Sequence, residues 1–85
     1  MKVPMKARVY VSLKPTVLDP QGATIRSALA GLGHTMIADV RQGKYFDIAL
    51  ADGTARDQAQ KELEAISADV LSNPVIENYR IEILD

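Results

Sequence analysis

The residues that could do chemistry are few and scattered. The chain has one histidine, His34, and no cysteine. A thiolate nucleophile and a cysteine-based zinc site are therefore excluded, and a lone histidine does not make a metal site. Ser12, Ser27, Ser67 and Ser72 have no base near them in sequence, so none reads as an activated nucleophile. Asp19, Asp39 and Asp47 are spread over strands and a helix start, and could meet only through tertiary structure. Arg41-Gln42-Gly43-Lys44 places two cations around a glycine and could touch a phosphate. It lacks the glycine spacing of a phosphate-binding loop, and reads better as a hairpin tip with solvated charges.

The elements that hold these residues are more legible than any site. The chain turns on Leu18-Asp19-Pro20-Gln21-Gly22. Aspartate caps a helix by accepting from a free N–H of the first turn. Proline fits the first helical position, where its missing N–H costs nothing. Behind them Ile25, Ala28, Leu29 and Leu32 form one apolar helical stripe. The spacing predicts a helix from Pro20 to Leu32, closed by Gly33 as a left-handed cap. Before it, Met5, Ala7, Val9, Val11 and Leu13 alternate with Lys6, Arg8, Tyr10, Ser12 and Lys14, the period of a half-buried strand. Pro15 ends that strand.

Two further strands are expected at Met36 to Arg41 and Lys44 to Leu50, joined around Gln42-Gly43. Val40 and Phe46 share a face only if the turn holds an odd number of residues, which predicts a bulged turn with Gly43 at positive φ. Thr54, followed by Asp57, reads as the capping box of a second helix. Its stripe is Ala59, Leu63, Ile66 and Val70, and Asn73-Pro74 stops it. The last strand runs from Ile76 to Leu84, with Tyr79, Ile81 and Ile83 on its inner face. The order β-α-β-β-α-β predicts an α+β, ferredoxin-like two-layer sandwich: a four-stranded antiparallel sheet with two helices on one face. It reads as one domain over 1–85, with Met1 to Pro4 as a loose lead-in.

Charge and composition narrow the function. Ten basic and eleven acidic residues give a net charge of −1, which is no footprint for nucleic acid or an anionic membrane. No apolar run approaches the length of a membrane span, and the N-terminus lacks the apolar core of a signal peptide. A cytoplasmic location is the expectation. So small a core, with one sheet face uncovered, points to self-association as a homodimer or a dimer of dimers.

The chain carries two family resemblances. Gln21-Gly22-Ala23-Thr24-Ile25-Arg26 is similar to part of the acylphosphatase loop. Pro20 removes an N–H from the would-be phosphate cradle, Asp19 adds a negative charge beside it, and the asparagine that family needs on a middle strand is absent. The second resemblance spans Met5 to the end. Arg8-Val9-Tyr10-Val11, Val17-Leu18-Asp19-Pro20-Gln21-Gly22, Val40-Arg41 with Gly43-Lys44-Tyr45, and Asn73-Pro74-Val75-Ile76-Glu77 with Tyr79-Arg80 resemble, in order and spacing, the PurS family. These are the small subunits of phosphoribosylformylglycinamidine synthase.

The resemblance implies a non-catalytic subunit of purine biosynthesis that holds no cofactor. It implies a glutaminase subunit and a large synthetase subunit as partners, with ATP and Mg2+ in the synthetase, and ammonia passing between the two. Three segments are then candidate subunit contacts: Asp19, Pro20, Gln21 and Gly22; Arg41, Gly43, Lys44 and Tyr45; and Asn73, Pro74, Val75, Ile76 and Glu77. All three are also ordinary cap, turn and breaker positions. The alternative is a small regulatory domain of the ACT type that binds an amino acid, supported by fold analogy alone.

Overall fold

A computed structural model describes residues 5–84; the expected lead-in at 1–4 lies outside them. Three antiparallel strands form one sheet in the order β2-β1-β3. The central strand β1 is Lys6–Leu13. Its inward residues Ala7, Val9 and Val11 are fully buried, as their alternation requires. On one side lies β2, Gly43–Ala49, which sets Phe46 beside Val9 and Ile48 beside Ala7. On the other lies β3, Glu77–Leu84, which sets Tyr79, Ile81 and Ile83 beside Val11, Val9 and Ala7.

One helix covers that inner face. It is α2, Arg56–Ile66, which buries Ala59 and Leu63. The helix then passes into a π-helical turn, Ser67–Leu71. The wider turn puts Ser67, rather than Ile66, below Leu63 and brings Leu71 back against the core. Ile66 and Val70 of the expected stripe are left exposed. Thr54 does not cap α2. Its hydroxyl donates to the Ala51 carbonyl at 2.6 Å, and Ala55 stands at the cap without a side-chain bond.

The first helix, α1, is Pro20–Gly31, with Asp19 as its cap and Pro20 leading it. It ends on two bonds that bring the chain out in a Schellman closure, Gly33 N to Ala30 O and His34 N to Leu29 O, both 3.0 Å. Gly33 takes φ 95° there.

Two expectations are corrected. First, α1 does not lie on the sheet: Gly22 is its only buried residue. Second, Met36 to Arg41 joins no ladder, so among the described residues the sheet has three strands. The cause of both is at the expected turn. Gln42 N–H donates to the Asp19 carboxylate at 2.7 Å. The Arg41 guanidinium donates to the carbonyls of Lys14 and Val17 at 2.9 and 2.8 Å. These bonds bind 41–42 to the loop before α1, and the hairpin does not close. Gly43 accordingly is not among the glycines at positive φ, which are Gly33 and Gly53. After the turn at Thr35-Met36, the strip 37–42 returns along helix α1, and the two run out together past the end of the sheet. The chain therefore measures 51 × 32 × 14 Å, with a radius of gyration of 16.8 Å. A compact chain of this length would have about 12 Å.

Candidate functional site

The three segments singled out by sequence meet at one end of the sheet, where β1 finishes. The Asp19 carboxylate is the centre of the junction and is itself buried. One oxygen accepts from Gly22 N at 2.9 Å, the other from Gln42 N at 2.7 Å. A cap residue thus also clasps the backbone 23 residues later, just before β2. The Gln42 N–H, then that of Gly22, and the nearby Arg41 charge hold this carboxyl below its ordinary value, against the opposing effect of burial. Arg41 is no free hairpin-tip charge, since its guanidinium is spent on the two loop carbonyls.

Gly22 makes the close approach possible. A Cβ built there would overlap the Val40 carbonyl oxygen and stand 2.9 Å from Asp19 Oδ2. Pro20 and Gln21 are exposed on the outer side of the same turn.

The 73–77 corner is fixed by its own side chains. Asn73 Oδ1 accepts from Val75 N at 3.1 Å, and Glu77 Oε1 accepts from Asn73 N at 2.7 Å. Lys14 N donates to Ile76 O at 2.8 Å, which ties the corner to the end of β1. The tight turn leaves Val75 79% exposed, with Pro74 and Ile76 also at the surface. Ser12, Asp19, Gln21, Gln42, Lys44 and Glu77 border a hollow of about 170 Å³ between the segments. That is smaller than the roughly 300–1,000 Å³ of small-molecule sites. It is a shallow hollow of mixed polar and apolar lining, short of a substrate pocket in size.

The 41–45 segment divides. Lys44 lies on the inner face, its ammonium 5.7 Å from the centre of the Phe46 ring. Tyr45 points to the opposite, helix-free face. There it meets a layer that sequence reasoning did not assemble. Tyr10 and Tyr45 pack at 6.1 Å between ring centres. Arg8 lies over Tyr45 at 4.6 Å and Arg80 over Tyr10 at 4.1 Å. Asp47 Oδ1 accepts from Arg8 Nε at 2.7 Å, which keeps Arg8 even more firmly charged than usual. The signal was the outward half of each alternation, but it names a face only once strand order is known. His34 lies apart, exposed after the α1 cap.

Comparison with known proteins gives this arrangement its setting. Residues 6–85 match the family described as PurS, phosphoribosylformylglycinamidine (FGAM) synthase. The chain is 47% identical to the subunit PurS of phosphoribosylformylglycinamidine synthase from Mycobacterium leprae, over 89% of this chain and 91% of that one. Its fold resembles Methanocaldococcus jannaschii PurS, one of the subunits of formylglycinamide ribonucleotide amidotransferase in the purine biosynthetic pathway. There the TM-score is 0.84 and the identity 34%, covering 95% and 96% of the two chains. A chain of the Thermotoga maritima PurLQS structure shares the fold at TM-score 0.82 and 24% identity, covering 96% and 100%. These matches leave the amino-acid-binding alternative unsupported. A match over residues 6–85 in sequence and over 95% of the chain in fold, spanning the segments that meet at Asp19, has one meaning: the chain belongs to the PurS family, a subunit of the FGAM synthase of purine biosynthesis.

Proposed function

We propose that this chain is the non-catalytic small subunit that bridges a glutaminase and an ATP-dependent synthetase, and that it helps ammonia pass from one to the other. The observation that carries the reading is the convergence of the Asp19–Gly22 turn, the 41–45 segment and the Asn73–Glu77 corner on one end of the sheet. An edge built from clasped turns offers a preorganised surface, which lowers the ordering cost of binding. The Thermotoga maritima neighbour, solved as part of PurLQS, supports a partnership of three kinds of subunit. In this reading ATP and Mg2+ belong to the synthetase, and the complex works in the cytoplasm. The chain itself associates as a homodimer or a dimer of dimers. The four-stranded, ferredoxin-like sheet expected from sequence is completed in that association rather than in the single chain.

The physical gain is positional. Ammonia serves the synthetase only if two active sites are held in register and water is kept out between them. The test is reconstitution of the synthase with and without this chain, fed glutamine or ammonium. Omitting the chain is expected to cripple the glutamine-driven rate much more than the ammonium-driven one. Equal glutamine-driven rates in both mixtures would refute the bridging role.

A further inference from the structure

The sheet face turned away from α2 arranges its residues in cross-strand rows. Asp47, Arg8 and Glu82 lie side by side, and so do Tyr45, Tyr10 and Arg80. A small ligand needs a concave site. An open sheet face that concentrates tyrosine and arginine has instead the composition of the buried centre of a protein–protein contact.

The two arginines of this face differ in what is left to them. Arg8 is satisfied, since its Nε donates to Asp47 at 2.7 Å and its side chain is 33% exposed. Arg80 lies with its guanidinium 4.1 Å from the centre of the Tyr10 ring. Its carboxylate contact among the described residues is Glu82 at a long 3.8 Å, and its side chain is 65% exposed. Glu82 is itself shared, because it accepts from the Tyr10 hydroxyl at 3.4 Å. The ring steadies the guanidinium and leaves donors for a group from outside. A guanidinium held in this way is a preorganised receptor for a carboxylate.

Charge states which partner fits. With Lys6, the face carries three cations against the carboxylates of Asp47 and Glu82. A second copy laid face to face would set that positive surplus against itself. The complement is an acidic surface on a different protein. Position agrees. Gly43, Ser12 and Asn78 form the row beyond the tyrosines, and Ser12 and Gly43 also border the hollow at the end of β1. The face therefore runs without a break into the end of the sheet where the three segments meet.

We propose that the helix-free face docks an acidic surface of a partner subunit, with Arg80 receiving a carboxylate and Tyr10 and Tyr45 at the centre of the contact. This rests on the bridging role proposed above and gives that role a surface.

The test titrates the chain into purified glutaminase and synthetase subunits, singly and together, and reads assembly by sedimentation. Arg80→Glu and Tyr45→Ala are expected to weaken assembly about 30-fold or more, the mark of an interface hot spot. Lys61→Glu, an equal change of charge at an exposed position of α2, should assemble as wild type. Circular dichroism and the chain's own oligomeric state should be unchanged in all three. If Arg80→Glu disturbs the fold, Arg80→Gln, which drops the charge and keeps a polar stem, decides in its place. Wild-type affinity should fall as salt rises, and indifference to salt would overturn the proposal. Face variants that assemble like wild type overturn it and leave the bridging role standing. An equal loss with Lys61→Glu overturns it too, since net charge alone would then account for the effect. Face variants that break up the chain's own oligomer assign the face to a contact between copies, which also overturns it. A wild-type chain that joins neither subunit overturns both the face and the bridging role.

Discussion

Replacing Gly22 by alanine sets two effects of opposite sign against each other. Alanine in a helix interior is favoured over glycine by about 1 kcal/mol. On propensity alone, then, Gly22→Ala should stabilise. The new methyl, however, falls on the carbonyl oxygen of Val40, with Asp19 Oδ2 at 2.9 Å on its other side. The obstruction is backbone, which cannot rotate away as a side-chain tip can. Forcing a methyl into filled space typically costs 1–3 kcal/mol, and this site belongs at the upper end. Relief would require Val40 to Gln42 to move off the helix, which also removes the 2.7 Å bond from Gln42 N to Asp19. The net expectation is a loss of about 2 kcal/mol. For a domain of this size each kcal/mol moves Tm by about 4–8 °C, so the variant should melt about 8–16 °C lower. Gly31→Ala is the matched control, because a Cβ there meets nothing within 4 Å; it should melt at or above the wild-type temperature. Thermal unfolding followed by circular dichroism reads both. If Gly22→Ala melts as high as wild type or higher, the junction is not the close approach described, and α1 is not pinned to the strip.

Three further outcomes are expected. The Asp19 carboxyl has a lowered value in the folded chain, so its stabilisation is complete above its ordinary value of 3.8 and is lost as pH falls through the folded value. Asp19→Asn should therefore flatten the acid limb of stability measured by urea unfolding between about pH 5 and 2, and an unchanged slope would count against the clasp. Ser67 is fully buried and its hydroxyl has no hydrogen-bond partner among the described residues; Ser67→Ala removes an unsatisfied group worth about 1–3 kcal/mol and should raise Tm by several degrees, with a fall refuting the reading. Arg41→Gln cannot reach both loop carbonyls, so hydrogen exchange at residues 40–42 should speed up by an order of magnitude or more while β1 stays protected; equal protection at 40–42 would show that Arg41 holds nothing in place.

The legible parts of the fold were those decided within a few residues. Asp19-Pro20 and Gly33 delimit α1 by caps alone, and Ala7, Val9, Val11, Ile81 and Ile83 went inward as their alternation said. Met36 to Arg41 alternates just as well, yet forms no strand within this chain. Alternation states which residues would share a face; it does not supply a neighbour to pair with. The decision lay with Gln42, whose N–H goes to a carboxylate 23 residues earlier, a contact that no local pattern encodes. Thr54 failed as a cap because the helix begins one residue later: its hydroxyl donates back to Ala51 O, and Ala55, which has no side-chain oxygen, takes the cap position. The candidate contact segments coincide with turns and breakers; Asp19, Gln21, Gly43, Lys44 and Glu77 come together at the end of β1, while Tyr45 stands on the helix-free face with Tyr10 and Arg8. The arginine–tyrosine layer on the helix-free face was hidden because its members come from three strands.

The free edge of β2 also bears on how much of this protein a cell can safely make. Tyr45 to Leu50 reads Tyr-Phe-Asp-Ile-Ala-Leu, a mostly apolar run that contains the strand-favouring Tyr45, Phe46 and Ile48 and no proline. Such a segment on an open edge is a template for stacking into cross-β fibres. Asp47 is its only charge, and that charge is already neutralised by Arg8 at 2.7 Å. Until another chain covers the edge, one carboxylate stands as the gatekeeper. Supply of this subunit beyond what its partners can cover is thus a solubility hazard, and the physics of the edge favours balanced synthesis over excess.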